Sequence, residues 1–337
     1  MIVVSGSGST PLIHRVQRQD MSHSQQPIVV VGSINIDLVA KAERIPVSGE
    51  TVRGIEFKTH SGGKGANQAV AIARLGYPVH MIGKVGNDAF GEQLRSGLQQ
   101  AGVDVSAVGQ VDDSSGVAVI VVSPEGDNVI VVTPGANAAL RPVDLDANVE
   151  LIRNAKIVLT QLETPMETVE HLAELCEREG VPLMLDPAPS QTLSPAVMRR
   201  VTWFTPNQTE ALFYAKCPAK ESPETIASRL LQEGPAGVAL KLGSSGVYLR
   251  NRDDLDVMVP AFSVKAVDTT AAGDAFNGAF AVGLALGHSP KDSARFAAAA
   301  AAVSVTRAGA QSSMPTFVEV ARMLDDTQSS RIQTSGA

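Results

Sequence analysis

The chain has 337 residues, 44% of them hydrophobic and 19% charged, and its formal net charge at pH 7 is −7. These values describe a globular protein large enough for one big α/β domain or two ordinary ones. An acidic chain without a block rich in Lys and Arg is not expected to bind nucleic acid or an anionic membrane. The two cysteines, Cys176 and Cys217, cannot form a disulfide framework, so we expect reduced thiols in a cytoplasmic protein.

The two ends of the chain are predicted to lie outside the folded domain. Residues 1–26 are rich in Ser, Gly and Gln, and their apolar patches are too short for a signal-peptide core. We predict that they form a flexible extension, and Met21 is an alternative start of the protein. A flexible tail is also predicted at residues 326–337, which leaves residues 27–325 as one folded domain.

Between these ends, short β-branched runs alternate with helical patterns. The runs predict strands at residues 28–31, 79–82, 157–160, 183–185, 202–204 and 238–242. The helical patterns predict helices at residues 64–75, 88–100, 166–179 and 224–232, one from the Asp274 region to Leu286, and one containing the alanine block 297–302. This alternation is typical of right-handed βαβ units and predicts an α/β fold whose mostly parallel sheet is covered on both faces.

Two segments break the alternation and predict a small antiparallel flap at one edge of the sheet. Residues 50–59 resemble a strand, and residues 116–132 resemble a hairpin that turns at Pro124–Gly126. Both faces of the first hairpin strand are apolar, because Val117, Val119 and Val121 alternate with Ala118, Ile120 and Val122. One face can cover a ligand, whereas the other needs a partner, so we expect a homodimer joined through the flaps.

The run DTTAAGDAFNG at residues 268–278 carries the strongest chemical signal. Asp274 follows a turn of small residues at the start of an apolar helix. The backbone N–H groups of Ala271, Ala272 and Gly273 can point at an anion there, with the helix dipole in support. A carboxylate beside an anion site suits phosphoryl transfer to an alcohol, although a helix cap is the commoner role of a single Asp in this position.

Two further segments suit a polar ligand. Asn35 and Asp37 follow the first predicted strand, and in extended chain their side chains point to the same side, which suits neighbouring sugar hydroxyls or a plain polar turn. In the run 61–68, SGGKGANQ, Gly63 permits close approach of a ligand and Asn67 lies one turn into the following helix. A simple junction between a loop and a helix would have the same pattern, and the run is not a Walker A loop.

Two segments later in the chain suit a nucleotide. Asn207 and Glu210 can hold hydrated Mg²⁺ with its phosphates, although Asn and Glu at this spacing also form a capping box. The turn from Lys241 to Gly246 follows a strand and could hold a nucleotide or be a tight connection. No dinucleotide-binding fingerprint or nucleophile elbow occurs in the sequence.

Together these segments resemble the ribokinase-like (PfkB) family of sugar kinases. SGGKGANQA and DTTAAGDAFNG are similar to the two family signatures, and GSINID, QLETP, TPNQTE, LGSSGV and VTRAGAQSS match in order over roughly Ile28 to Leu324. The resemblance implies a three-layer α/β/α sandwich with a small β-sheet lid, formed by about residues 38–61 and 114–136, in a kinase domain of residues 27–325. It also implies a homodimer joined through the lid.

The resemblance also implies roles for single residues. The sugar would be bound by Asn35, Asp37, Gly63, Lys64, Asn67 and Glu163. Asp274 would be the base, and Ala271, Ala272 and Gly273 the anion hole. ATP with Mg²⁺ would be bound by Asn207, Glu210, Lys241, Gly243, Ser244, Gly246 and Gly273. A K⁺ ion would be bound, mainly by backbone carbonyls, at Asp268, Thr270, Ser304, Arg307, Gly309 and Ser313. The sequence departs from the common family pattern at Ala298, where a His often flanks the adenine, and at Lys241, where Thr is common.

The implied reaction is transfer of the γ-phosphoryl group of ATP to O5 of D-ribose. The segments GSINID and GGKGANQAVA favour ribose over fructose or adenosine. The alternatives are a family kinase acting on 2-deoxyribose, a nucleoside or a ketohexose, and a non-catalytic sugar-binding regulator. The intact AAGD turn with Asp274 argues against the regulator.

Overall fold

A computed structural model describes residues 25–218 and 220–334, with side chains through residue 326. The predicted N-terminal extension lies almost entirely outside the described residues. The strands are β1 Ile28–Val31, β2 Asn35–Ala42, β3 Gly54–Gly62, β4 Val79–Gly86, β5 Val108–Val111, β6 Gly116–Val122, β7 Asn128–Thr133, β8 Ile157–Thr160, β9 Leu183–Leu185, β10 Trp203–Phe204, β11 Gly237–Lys241, β12 Val247–Asn251 and β13 Asp256–Val259.

Helices alternate with the strands, as the sequence pattern predicts, and the last three follow the final strand. They are α1 Lys64–Arg74, α2 Ala89–Gln100, α3 Pro142–Ala147, α4 Val149–Arg153, α5 Met166–Glu179, α6 Pro195–Arg200, α7 Gln208–Ala215, α8 Pro223–Glu233, α9 Ala272–Ala285, α10 Pro290–Ser304 and α11 Phe317–Thr334. Local signals explain several starts: the side chain of Asp88 accepts from the Gly91 N–H and caps α2, and Ser289 accepts from the Asp292 N–H and caps α10. No helix in this described part of the chain is long and apolar enough to cross a membrane.

Nine of the described strands form the main sheet, in the order β13-β12-β11-β10-β9-β8-β1-β4-β5. The pairs from β11 to β5 are parallel, whereas at the other edge β12 pairs antiparallel with both β11 and β13. The predicted α/β fold with a mostly parallel sheet is therefore confirmed. Strands β5, β12 and β13 were not predicted.

The centre of the sheet is buried on both faces. All four residues of β1 are buried, and they alternate between two hydrophobic cores: Ile28 and Val30 face one, and Val29 and Val31 face the other. The first core is built with α1, α9 and α10, and the second with α5, α7 and α8. Burial on both faces explains why β1 reads as a continuous apolar run rather than an alternating one.

The flap is a second sheet, of order β3-β2-β6-β7, which we call the lid. Its hairpin turns where predicted, since the Ser123 N–H donates to the Asp127 carbonyl. The prediction of an antiparallel flap is wrong in one respect, because β2 and β6 are parallel and pair from Asn35 with Gly116 onward. β2 follows β1 and β6 follows β5, so both strands come after the carboxyl ends of parallel strands of the main sheet.

Helix α11 continues to Thr334, past the predicted domain boundary at residue 325 and into the segment 326–337 that was predicted to be a flexible tail. Residues 335–337 lie outside the described residues.

Candidate active site

The candidate site lies where the parallel strands end. Ser33 follows β1, Gln161 and Glu163 follow β8, Asp186 follows β9, and Lys241 is the last residue of β11. Carboxyl ends of neighbouring parallel strands meet at one edge of the sheet, which is where open α/β sheets bind ligands. The first turns of α1 and α9 complete this edge.

Asp274 lies at the centre of the site, in the first turn of α9, and is 5% exposed. Asn67 Nδ2 donates to its Oδ2 at 3.0 Å, and Gln68 Nε2 donates to its Oδ1 at 3.1 Å. Burial raises the pKa of Asp274 to about 6, with a contribution in the same direction from the Asp186 carboxylate, whereas Lys64 opposes the increase. A fixed carboxylate whose pKa is raised towards neutrality suits a general base.

Gln68 joins Asp274 to a second buried carboxylate. Its Nε2 also donates to Asp186 Oδ2 at 3.0 Å, and its Oε1 accepts from Gln161 Nε2 at 2.7 Å. The contact with Gln161 fixes which end of the Gln68 amide faces the carboxylates. On the far side of Asp186, Lys241 Nζ lies 3.0 Å from Oδ1.

Lys64 supplies positive charge between the two halves of the site. Burial opposes its ammonium charge, but surrounding carboxylates outweigh this and raise the pKa of Lys64 well above its usual range. These carboxylates are Asp274, Asp186, Glu163 and Glu210. The charge of Lys64 is therefore stabilised by carboxylates of both the predicted sugar residues and the predicted phosphate residues.

The three residues of the predicted anion hole lie at the start of α9. Ala271 adopts a left-handed conformation (φ 58°) and begins α9, so the following N–H groups lie in the first turn, where a helix provides no carbonyl acceptor of its own. Ala272 is the exception, since its N–H donates to the Thr269 carbonyl at 3.2 Å. Among the described hydrogen bonds the N–H groups of Ala271, Gly273 and Asp274 have no acceptor, so these three are the available donors.

The predicted sugar residues gather on the lid side of Asp274. The Asp37 carboxylate lies against Gly62, where a Cβ atom would come within 2.4 Å of Oδ2, and its pKa is raised to about 6 by burial and by Glu163. Gly63 has a φ of 87°, and a Cβ there would come within 2.7 Å of the Asn35 backbone nitrogen. Only glycine permits this approach of α1 to the β1–β2 loop.

Three further contacts fix the sugar residues. Glu163 Oε2 accepts from Ser33 Oγ at 2.5 Å and from the Lys64 backbone N–H at 3.2 Å. Asn35 is buried, and its Oδ1 accepts from Asn137 Nδ2 at 2.7 Å. Asn67 Oδ1 is buried and has no hydrogen-bond partner among the described residues, so it is free to accept from a ligand.

A cavity of about 490 Å³ opens on the other side of Asp274. Its polar end holds Lys241, Ser244, Thr269 and Gly273, next to the N–H groups of α9. Its other walls are mainly apolar and include Phe262, Val264, Phe276, Ala298, Ala301, Ala302 and Val305. Gly243 and Gly246 line the cavity as predicted, and the combination fits a nucleotide whose phosphates face Gly273.

Asn207 and Glu210 form the capping box that was the alternative interpretation of their spacing. Glu210 Oε2 accepts from the Asn207 N–H at 2.8 Å, and Glu210 Oε1 accepts from Asn207 Nδ2 at 2.7 Å. Burial raises the pKa of Glu210. The pair nevertheless borders the phosphate end of the cavity, because Asn207 forms a β-bridge with Lys241. Amide and carboxylate oxygens suit Mg²⁺ held through its water ligands.

The predicted cation residues lie on two adjoining loops. Asp268 Oδ1 accepts from the Thr270 N–H at 2.9 Å, and Asp268 Oδ2 accepts from the Gly309 N–H at 2.8 Å. The side chains of Ser304 and Ser313 are hydrogen-bonded to nearby carbonyls, and Arg307 is paired with Glu319. Only backbone carbonyls and the Asp268 carboxylate therefore suit a monovalent cation.

Sequence reasoning missed four side chains of the site: Gln68, Asn137, Gln161 and Asp186. Gln161 and Asp186 follow β8 and β9 directly, so the rule that pointed to Asn35, namely that ligands bind beyond the carboxyl ends of strands, would have found them. Gln68 adjoins Asn67 in the same motif. Asn137 carried no signal, because it contacts Asn35 from a short helical turn more than one hundred residues away.

Comparisons with known proteins agree with this geometry. The sequence model of the pfkB family carbohydrate kinases matches residues 25–317. A ribokinase of Schizosaccharomyces pombe is 42% identical over 87% of this chain and 96% of that protein. A deoxyribokinase of Salmonella typhi is 37% identical over 86% of this chain and 96% of that protein. The structure of Arabidopsis thaliana ribokinase complexed with ribose and ATP has a TM-score of 0.85 at 35% identity, covering 89% of this chain and 99% of that one.

Proposed function

Because the chain belongs to the pfkB family of carbohydrate kinases, we propose that it phosphorylates D-ribose at O5 with ATP, which yields D-ribose 5-phosphate and ADP. The proposal is supported by the similarity to ribokinases over nearly the whole chain. The observation that carries it is the position of Asp274. This buried carboxylate lies between a cluster of hydroxyl-binding groups under the lid and the phosphate end of an apolar cavity.

The residues act on the two substrates in distinct ways. Asp37, Asn67 and Glu163 accept from sugar hydroxyls and orient the primary hydroxyl towards Asp274. Asp274 takes the proton of this hydroxyl as the oxygen attacks the γ-phosphorus and the bond to the β-phosphate breaks. The N–H groups of Gly273 and Asp274 receive the charge that develops on the phosphate oxygens.

We assign Mg²⁺ to the Asn207–Glu210 pair and K⁺ to the loops that contain Asp268 and Gly309. Their oxygen donors suit these ions, as described above. When bound, Mg²⁺ neutralises phosphate charge. The K⁺ loops adjoin the first turn of α9, so an ion there would order the N–H donors of Gly273 and Asp274.

We further propose that two copies of the chain associate through the lid. One face of the lid carries Asp37, whereas side chains paired in register on the other face are apolar: Leu38, Val119 and Val131, and next to them Phe57 and Val129. Phe57 is 64% exposed and Val131 60%. A second lid would cover this face.

The nearest rival substrate is 2-deoxyribose, since a deoxyribokinase is nearly as similar to this chain as the ribokinases are. The test is a panel of D-ribose, 2-deoxyribose, a ketohexose and a nucleoside, each with ATP and Mg²⁺, with ADP and the sugar phosphate measured. We expect the highest kcat/KM with D-ribose and phosphate on O5. A higher value with another substrate would reassign the specificity, and no product with any substrate would favour a non-catalytic sugar-binding protein.

A further inference from the structure

Asn137 lies at the base of the lid and has no role in the mechanism above. It is 2% exposed and belongs to the short helical turn Gly135–Ala139, which follows the last lid strand, β7. Its side chain contacts the other end of the lid, at the start of β2. Oδ1 accepts from the Ile34 N–H at 2.9 Å, and Nδ2 donates to Asn35 Oδ1 at 2.7 Å. A single side chain therefore joins the two ends of the lid and contacts a residue of the predicted sugar site.

These contacts fix the orientation of both amide groups. A backbone N–H can only donate, so the Asn137 atom beside the Ile34 N–H is the acceptor, Oδ1, and its other terminal atom is Nδ2. Since this Nδ2 donates, the Asn35 atom that receives the bond is Oδ1. The remaining atom of the Asn35 amide is Nδ2, a donor. It has no acceptor among the described hydrogen bonds and is not one of the enclosed atoms without a partner, so it borders open space.

The contact between Asn35 and Asn137 also depends on the neighbouring lid strand. Gly116 begins β6 and pairs with Asn35 in register. A Cβ atom built on Gly116 would come within 2.2 Å of both Asn137 Nδ2 and Asn35 Oδ1. Any other residue at this position would push the two amides apart. Strand β6 leaves room for their hydrogen bond because it begins with glycine.

We propose that Asn137 is a positioning residue for sugar binding: it holds the Asn35 amide with Nδ2 towards the sugar, so that this position donates to a hydroxyl group rather than accepting from one. The inference deepens the proposed function and rests on it, since it concerns the same site. Asn35 and Asp37 are two residues apart on β2 and share one face of the strand. A hydroxyl group that donates its hydrogen to the Asp37 carboxylate keeps its lone pairs for the Asn35 N–H. The two residues can thus recognise a hydroxyl group as donor and as acceptor.

The test measures D-ribose binding by calorimetry, and kcat and KM, in variants that break the contact in different ways. Asn137→Asp keeps the size of the side chain and one acceptor oxygen, but a carboxylate cannot donate to Asn35. Gly116→Ala pushes the pair apart without changing either side chain. Asn35→Ala removes the group that Asn137 positions, and its combination with Asn137→Asp shows whether Asn137 acts through it. Gly54→Ala on β3 is the matched control, because a Cβ atom there meets only the Lys41 carbonyl among the described atoms, at 3.7 Å.

For Asn137→Asp and Gly116→Ala we expect the Kd of D-ribose to rise about ten-fold, the effect of one lost hydrogen bond to a hydroxyl group. The kcat at saturating D-ribose and the KM for ATP should stay within about three-fold, because the contact lies outside the nucleotide cavity. The double variant should bind D-ribose no more weakly than Asn35→Ala alone, since Asn137 acts through Asn35. Gly54→Ala should match the wild type in every measurement.

A purely structural role of Asn137 predicts a different pattern, with a lower kcat, weaker ATP binding and additive losses of sugar binding in the double variant. That pattern would overturn the proposal, as would a Kd of D-ribose within about two-fold of wild type in both Asn137→Asp and Gly116→Ala. If Asn137→Asp does not fold, Gly116→Ala decides the question, since it leaves both amides in place. The substrate panel tests the proposed function separately, and the sugar with the highest kcat/KM there replaces D-ribose in these measurements.

Discussion

Asp37 and Asp274 are carboxyl groups of the site whose pKa is raised to about 6. Burial is the main cause for both, and a neighbouring carboxylate adds to it, Glu163 at Asp37 and Asp186 at Asp274, where Lys64 opposes the increase. Both groups need to be ionised, Asp274 to take a proton and Asp37 to accept from hydroxyls. Because each pKa is raised to about 6, both functions are lost as the pH falls through this value and are complete above it.

This gives the first prediction, on the pH dependence of the reaction. The kcat/KM for D-ribose should be level near pH 8 and should fall to less than about one tenth of this value at pH 5. With two groups titrating, the slope of the logarithm should exceed one below pH 6. The profile is measured at saturating ATP, with melting curves at each pH to exclude unfolding. Full activity at pH 5 would contradict the assigned pKa of Asp274.

The second prediction concerns recognition of the sugar hydroxyls. Asp37→Ala should lower kcat/KM for D-ribose, because each hydroxyl left without a partner costs roughly 1–3 kcal/mol. The loss should be smaller with 2-deoxyribose if Asp37 binds the 2-hydroxyl and 3-hydroxyl groups. Lys41→Ala, an exposed position on the same strand, is the control and should be neutral. Equal losses with both sugars would show that Asp37 does not distinguish them.

At this scale the sequence predicted single residues well where they belong to a motif. Asn67 donates to Asp274, and Glu163 accepts from the backbone N–H of Lys64 in the same motif as Asn67. Asp186 and Lys241 are 55 residues apart in the chain, and the contact between them depends on how β9 and β11 are ordered in the sheet. The strand order follows from tertiary packing, so spacing cannot supply this ion pair.

At the scale of elements, the start of α9 couples the anion hole to the cation loops. Although burial opposes its charge, hydrogen bonds from Thr270 and Gly309 lower the pKa of Asp268 and keep it ionised. Asp268 thereby joins the loop before α9 to the loop after α10. A cation bound at these loops would fix the geometry of the Gly273 and Asp274 donors.

The third prediction follows from this coupling. K⁺ should raise kcat well above the value in Na⁺ at equal ionic strength, since the ion orders donors that act on the transferring phosphoryl group. Rates are measured in K⁺, Na⁺ and a bulky organic cation with the same anion. Asp268→Ala should lose most of the difference between the salts. Identical rates in all three salts would show that no activating cation binds at these loops.

Secondary structure was predictable wherever one pattern dominates. The alternation of buried strands and amphipathic helices predicted the main sheet. The turn at Pro124–Gly126 predicted the hairpin of the lid. The parallel pairing of β2 with β6 was missed, because these strands are about eighty residues apart and no local signal relates them. The short edge strands β12 and β13 were missed because no helix separates them, so they do not follow the alternation of strands and helices that was used for the prediction.

At the scale of the whole molecule, the lid leaves an apolar surface that a single chain does not cover. The fourth prediction is therefore a dimer at micromolar concentration, measured by light scattering. Phe57→Asp should shift the population to monomer, because it introduces a charge into the apolar face. Val318→Asp alters a comparably exposed apolar residue on α11 and should leave the dimer intact. A wild-type chain that is monomeric throughout would refute association through the lid.

The central claim is that Asp274 is the base in phosphoryl transfer to D-ribose, and Asp274→Asn tests it most directly. Asn preserves the size of the side chain and one acceptor oxygen, so the fold and D-ribose binding should be retained. The turnover number should fall at least about 10²- to 10⁴-fold, the range of a positioned base. The measurement is kcat at saturating D-ribose and ATP, with calorimetric D-ribose binding as the check on the site. A kcat within three-fold of wild type, with D-ribose still bound, would contradict the assignment.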